Sequence, residues 1–302
     1  MLHLYGVNLR PPYEEDAGSM AELMSVGWPE PRTETSVVRA LTAPSADPAR
    51  NARVAVGPSG SIVGTAMLDE VGDGRGKFWL DIRAASQDVA EPLVVWAEDR
   101  CRERAQAPTR LFAGAWSAGD AVIDALRSLG FAKVRHSLRL AMDLTAAVPA
   151  PVWPDGITVR TRDPGDERAV YEAHMEAFAD SWEHERTDYA EWSHWYLDST
   201  RYDPSLSFLA FHGADLAAIA LCRMDNALAG VGWVSILGVR REWRKRGLGA
   251  ALLRHAFRTF ATRGCQRMVL GVDAASLTGA ERLYERVGMT VVDRFHIYEK
   301  AL

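Results

Sequence analysis

The chain has 302 residues, 48% of them hydrophobic and 25% charged, with a net charge of −5. That is ordinary globular composition, and at ~150 residues per domain it is long enough for about two domains. The acidic balance gives no electrostatic case for a nucleic-acid partner, whose phosphate backbone attracts basic surfaces.

The opening stretch, MLHLYGVNLRPPYEEDAG, has no apolar core behind a basic start, and nothing in the chain approaches the ~18 apolar residues of a membrane span. The expectation is a cytoplasmic protein with no membrane partner. After an early helix, the alternation at 52–56 and 61–67 reads as two strands around a Gly-Pro-Ser-Gly turn, and 78–82 reads as a third. Helical spacing follows at 89–104 (Leu93, Val94, Trp96, Ala97, Cys101), and a second helix at 120–129 stops at Gly130. The stretch TAAVPAPVWPDG, 145–156, carries three prolines and predicts an extended linker. The expected domains are therefore 1–146 and 157–302, joined by 147–156.

Beyond the linker the same order of signals returns. A strand at 157–160 and a helix at 166–178 are followed by a hairpin at 207–211 and 216–223 and a strand at 232–239. A helix at 247–262, a strand at 268–272, a helix at 279–286 and a strand at 290–300 complete the series. Lining up Gly130 with Gly288 places Leu129 on Val287 and Leu126 on Tyr284, so the halves read as a duplicated unit. Only four of the 35 basic residues are lysine (Lys77, Lys133, Lys245, Lys300), an arginine bias that points to a G+C-rich bacterial source. Cys101, Cys222 and Cys265 have neither metal-ligand spacing nor the even count of a disulfide framework, so no metal is expected and a reducing compartment is the simpler reading.

Chemistry concentrates between the strand at 232–239 and the helix after it, in Arg240-Arg241-Glu242-Trp243-Arg244-Lys245-Arg246-Gly247-Leu248-Gly249-Ala250. Glycines that let backbone approach a ligand, a helix N-terminus with unpaired N–H groups and a run of cations together make an anion cradle suited to a diphosphate. The glycine spacing fits neither the dinucleotide fingerprint nor a Walker loop. It resembles the acyl-CoA loop V-x-x-x-x-R-x-x-G-x-G of the GNAT superfamily of N-acetyltransferases, with Val239 completing the lead-in. Leu283-Tyr284-Glu285-Arg286-Val287-Gly288-Met289 is similar to that family's closing L-Y-x-x-x-G-F helix, with Met289 in place of Phe. The tandem layout resembles the double-domain type represented by mycothiol synthase.

The resemblance implies an α/β (α+β) fold of two tandem domains, each a mixed, mostly antiparallel sheet flanked by helices. It implies acetyl-CoA as co-substrate, with pantetheine held by backbone at Leu237, Gly238 and Val239, where the central strand bulges and splays. The pyrophosphate would be held by N–H groups of Arg246, Gly247, Leu248, Gly249 and Ala250 with the side chains of Arg244 and Lys245. Ser276 would contact the pantetheine arm, and Tyr284 would protonate the departing thiolate.

Many relatives place a base, Glu, on the central strand where this chain has Trp233. Alternation expects Ser235 and Leu237 on the face of Trp233, leaving Ser235 as the polar group there and able to order a water. His174, Glu176, Asp180, His184 and Asp273 are the other candidates, each set against an ordinary surface, cap or turn role. His174, Phe178, Trp182 and Trp233 are the expected acceptor-binding residues. Trp192, Trp195 and Tyr196 recur at helical spacing and by default pack one helix on the core.

In the first half, Arg83-Ala84-Ala85-Ser86-Gln87-Asp88 has no glycine and an acid where a pyrophosphate would sit, so that half is expected not to bind acyl-CoA productively. The function expected is direct acetyl transfer from acetyl-CoA to a primary amine of a small molecule, by a monomer or homodimer. A catalytically weak acyl-CoA-binding sensor is the rival, and a larger acyl group stays open.

Overall fold

The computed structural model describes residues 6–26, 31–71, 76–104, 108–116, 121–197, 202–225, 228–275 and 280–302, with only the backbone of Ala280 and Glu281. It divides into two compact units, one running to Ser137 and taking back Arg294–Leu302, the other Leu138–Asp293.

The first unit contains β1 (Asn8–Arg10), α1 (Ala17–Ser25), α2 (Glu34–Leu41), a single turn α3 (Pro48–Asn51), β2 (Ala52–Val56), β3 (Ile62–Glu70), β4 (Lys77–Ala84), α4 (Gln87–Arg104), β5 (Arg110–Trp116) and α5 (Ala121–Ser128). The strand β6 (Ala132–Asp143) then leads into the second unit. There follow β7 (Ile157–Thr161), α6 (Glu167–Phe178), α7 (Tyr189–Tyr196), β8 (Ser207–His212), β9 (Asp215–Met224), β10 (Val231–Val239), α8 (Leu248–Thr262), β11 (Arg267–Asp273), α9 (Ala280–Arg286) and β12 (Thr290–Ala301).

The strand order is β1-β2-β3-β4-β5-β12 in the first unit and β6-β11-β10-β9-β8-β7 in the second. The pairs β1–β2, β2–β3, β3–β4, β5–β12, β7–β8, β8–β9 and β9–β10 are antiparallel, and β4–β5 and β10–β11 are parallel. This is the mixed, mostly antiparallel α/β architecture expected. The compact units nevertheless differ from the chain-contiguous halves 1–146 and 157–302. The strand β12 pairs with β5 from Phe295↔Trp116 to Ala301↔Arg110, and its Tyr298 is fully buried among Phe78, Leu80, Leu111 and Leu126. Lys300 Nζ reaches Glu98 on α4 at 2.6 Å. Each unit is thus completed by a strand from the other half of the sequence, β12 for the first and β6 for the second. Alternation marks a strand without naming its neighbour, so sequence alone does not reveal the exchange.

The linker is also more tied down than its prolines suggest. Val148 is buried in the α8-side core of the second unit, its carbonyl accepts from Arg258 Nη1 at 3.0 Å, and Trp153 meets His255 edge-on at 5.9 Å.

Helix ends follow local rules. α8 buries Leu248, Ala251, Leu252, Ala256, Phe257 and Phe260 along one stripe. It stops where Gly264 turns left-handed (φ 81°) and Cys265 N–H bonds back to Phe260 O at 3.0 Å. α5 and α9 end alike: Phe131 N–H bonds to Leu126 O at 2.9 Å and Met289 N–H to Tyr284 O at 3.0 Å, beside left-handed Gly130 and Gly288. The internal alignment of the two halves is therefore realised in hydrogen bonds.

Candidate functional site

The central feature of the second unit is a parting of two strands. β10 pairs with β9 from Gly232 to Val239, but with β11 only at Val231↔Arg267, Gly232↔Met268 and Trp233↔Val269. Both strands run on, to Val239 and Asp273, so they diverge beyond Trp233 and turn backbone N–H and C=O groups of 235–239 into a wedge.

At the mouth of the wedge β10 bulges. Val234 pairs with Cys222 and Ile236 with Leu221, which leaves Ser235 as the inserted residue. The bulge resets the alternation. Val234, Leu237 and Val239 join the core beneath α8, Ile236 joins the core beneath α6 and α7, and Trp233 packs with Val231, Val269 and Ala141. Leu237 therefore does not share a face with Trp233 as simple alternation expects, because one inserted residue exchanges the faces beyond it. Ser235 is half-buried at the turning point.

The loop from β10 to α8 then makes two left-handed turns, at Lys245 (φ 62°) and Gly247 (φ 89°). At Gly247 only glycine takes this conformation without strain. The helix has no side-chain cap, and its first intrahelical bond is Ala251 N–H to Gly247 O at 3.1 Å. The first-turn N–H groups and the helix dipole therefore face the loop with no side chain to satisfy them. Lys245 and Arg246 are exposed beside them, and the Arg246 guanidinium lies 4.9 Å over the Trp243 ring. Gly249 serves packing as well as access. A Cβ there would come 3.1 Å from Leu283 of α9 and meet Val239 and Leu237, so the loop, β10 and α9 converge on this one position. At Gly238 a Cβ would come 3.0 Å from that of Ala177, which lets α6 lie close on the strand.

Arg244 is placed differently from the phosphate-binding role that the resemblance implies. Its Nε donates to Val239 O at 3.2 Å, Nη1 to Asp180 Oδ2 at 2.9 Å and Nη2 to Ala177 O at 3.0 Å. Arg241 Nη2 reaches the other oxygen of Asp180 at 2.5 Å, Arg240 Nε reaches Glu176 Oε2 at 2.6 Å, and Arg241 N–H reaches Glu176 Oε1 at 3.0 Å. Hydrogen bonding to Arg244 and Arg241, with their charges, holds the Asp180 carboxyl below its usual range. Burial pulls Glu176 upward, yet Arg240, the Arg241 N–H and both charges leave it lowered. Two carboxylates considered as bases are thus committed anions at the C-terminal end of α6. The sequence signal for this brace, acids four apart in and just after one helix against three loop arginines, is visible in hindsight; reading each sign by itself sends the acids to catalysis and the cations to phosphate.

Tyr284 lies on α9 one residue beyond Leu283 and is largely buried, and burial pushes its phenol up to about 12, so it holds its proton at neutral pH. Ser276 lies outside the described residues. Asp273 accepts from Ala275 N–H at 3.1 Å, a turn role.

His174, expected in the acceptor pocket, is buried between α6 and α7. Its Nδ1 accepts from Trp192 Nε1 at 2.8 Å, and Phe178 and Tyr196 pack against its ring. Burial, with a contribution from nearby His184, lowers it to about 4. Phe178 and Trp182 are half-buried in and after the end of α6. Trp192 and Tyr196 belong to the same aromatic cluster, while Trp195 is half-buried with its indole N–H on Glu191 at 2.6 Å. Trp233 is buried, donates Nε1–H to Asp225 at 2.8 Å, and has the Arg139 and Arg223 guanidiniums 4.5 and 5.0 Å from its ring centre. Those two arginines were not marked by the sequence. Among the described residues no group of His, Cys, Asp and Glu could hold a metal ion, and no helix is long and apolar enough to cross a membrane.

Residues 168–289 match the family model described as Acetyltransferase (GNAT) family. That segment of the chain is similar to this family. The mycothiol acetyltransferase of Thermobispora bispora is 33% identical over 189 residues, 58% of this chain and 61% of that protein. The mycothiol acetyltransferase of Streptomyces scabiei is 32% identical over 176 residues, 56% of this chain and 55% of its own length. The chain therefore spans about three fifths or less of these relatives. Among solved structures, a GCN5-related N-acetyltransferase from Sphaerobacter thermophilus matches with a TM-score of 0.77 at 29% identity, covering 98% of this chain and 95% of that one. A tandem GNAT protein from the clavulanic acid biosynthesis pathway matches with a TM-score of 0.78 over 98% of both chains, and at 17% identity it speaks for the fold alone. The GNAT segment lies within the second unit, and the architecture over the whole chain is the tandem GNAT one.

Proposed function

We propose that the protein is an acetyl-CoA-dependent N-acetyltransferase that transfers acetyl directly to a primary amine of a small molecule, with its one productive site in the second unit. The observation that carries this reading is the wedge between β10 and β11 opening beside the uncapped N-terminus of α8, with Lys245, Arg246 and left-handed Gly247 at its rim. A diphosphate suits that rim, an extended amide-containing arm suits the free backbone groups of 235–239, and the thioester supplies the acyl carbon.

The chain's own residues have limited tasks. Backbone N–H groups near the bulge polarise the carbonyl. As the amine nitrogen bonds to the acetyl carbon and the C–S bond breaks, Tyr284 gives its phenolic proton to the leaving thiolate, and the proton lost by the amine passes through water to solvent and restores Tyr284. We assign the ordering of that water to Ser235, half-buried at the bulge. A covalent route through a thiol is disfavoured: Cys101, Cys222 and Cys265 are all buried, and burial raises each thiol, Cys101 to about 12.

The names of the relatives motivate a thiol-sugar type of amine among the first acceptors to try. Against the first unit as a second site stand its unbroken β3–β4 register and the immediate start of α4 at Gln87, which leaves no loop to hold a phosphate.

The test is to incubate the protein with acetyl-CoA and a pooled set of small primary amines while following free thiol. Amine-dependent thiol release supports the reading. CoA binding with no release for any amine would leave an acyl-CoA sensor, for which the absence of a carboxylate at Trp233 is the favouring observation. No CoA binding would remove both.

A further inference from the structure

We infer that Glu176 and Asp180 are positioning residues for the acyl-CoA loop: they hold Arg240, Arg241 and Arg244 as braces, so that the diphosphate meets backbone N–H groups, Lys245 and Arg246. The inference rests on the acyl-CoA reading of the loop.

The geometry is that of a clamp. Asp180 takes one guanidinium on each oxygen, Arg241 on Oδ1 and Arg244 on Oδ2. Glu176 likewise takes Arg240 Nε on one oxygen and the Arg241 backbone N–H on the other. Arg244 adds bonds to two carbonyls, one at the end of β10 and one in the last turn of α6. Its three nitrogens are therefore spent on tying strand, helix and loop together, at the root of the segment whose left-handed residues expose the α8 N-terminus. A backbone conformation with Lys245 left-handed is strained by about 1–2 kcal/mol and persists only when its surroundings impose it. The braces flank that residue on its N-terminal side, while Lys245 itself and the following Arg246 are exposed and outside the clamp.

This assignment reverses a sign that simple electrostatics would give. If Arg244 bound phosphate directly, removing the Asp180 charge would free two guanidiniums, raise the local positive potential and tighten CoA. If Asp180 acts by holding the braces, its removal loosens the loop and weakens CoA.

The experiment compares wild type with Asp180→Asn, Glu176→Gln and Lys245→Ala, using isothermal titration with CoA, which needs no acceptor. Hydrogen exchange of the ligand-free loop amides 240–250 is measured in parallel. Both carboxylate variants should bind CoA about three- to tenfold more weakly, the scale of one or two half-exposed ion pairs, and should exchange faster across the loop, with β8 and β9 protection unchanged as the folding control. Lys245→Ala should weaken CoA while leaving exchange at 240–244 as it was. Asp180→Glu should restore part of the loss. Equal or tighter CoA binding by Asp180→Asn, or unchanged loop exchange in both carboxylate variants, overturns the inference. Failure of wild type to bind CoA would overturn the acyl-CoA reading instead, and the exchange measurement would still decide whether the carboxylates hold the loop.

Discussion

His174 gives the sharpest quantitative check, because its placement in the core makes a claim about pH. Its ordinary value is 6.5 and burial lowers it to about 4. A base whose folded value lies below its unfolded one contributes fully above the unfolded value, and that contribution is lost as pH falls toward the folded value. Between pH 7.5 and pH 5 the extra proton taken up by the unfolded segment rises from near zero to nearly one. Integrated over that interval the cost is about 2 kcal/mol, a roughly thirtyfold change in the opening equilibrium. His174→Gln keeps an acceptor for the Trp192 N–H and removes the titration. The assay is hydrogen exchange of α6 and α7 amides at pH 7.5 and pH 5, corrected for intrinsic exchange. Wild-type protection should fall about thirtyfold, and the variant's much less. His184, also lowered by burial, acts in both proteins, so its effect largely cancels in the comparison. Equal loss in the two would refute the buried, neutral imidazole and return His174 to the acceptor side.

Two further outcomes bear on the site and on the fold. Tyr284→Phe keeps the buried ring and removes the proton donor, so kcat should fall on the order of a hundredfold with CoA affinity within about twofold of wild type; since the phenol is raised to about 12, no alkaline decline of wild-type activity near neutrality should trace to it. Tyr298→Ala empties a fully buried position in the first unit and should cost that unit about 3–5 kcal/mol. Thiol labelling then should reach Cys101, in the same core, before Cys222 in the second unit, and labelling in the opposite order would contradict the exchange of β12.

Local signals in the sequence were sufficient where the deciding physics is local. Gly130 and Gly288 end helices because only a left-handed residue closes the return bond to Leu126 and Tyr284, and both positions are readable from spacing. The stripe of α8 and the glycines before it are equally plain. The bulge is not, because Trp233 to Val239 is apolar on both faces apart from Ser235 and the glycine, so no polar residue betrays the lost register. The brace was hidden for another reason: an acid beside a substrate pocket and an arginine in a phosphate loop each have a familiar solitary use, and only coordinates show them spending their charges on each other.

The duplicated unit separates what the fold supplies from what the site requires. In the first unit β4 pairs with β5 only from Lys77↔Arg110 to Leu80↔Ala113 and then parts from it, as β10 parts from β11. The parting of strands is therefore a property of the scaffold. The same registers put Trp79 and Trp233 at equivalent third positions, so a tryptophan there recurs in both units. What the second unit has in addition is the inserted Ser235 and the loop 240–247 with its clamp to α6, whereas the first runs in register through Ala84 and turns at once into α4. Amine activation should then be sought among the groups that reach the bulge, with Ser235 and the water it can hold examined before any carboxylate of α6.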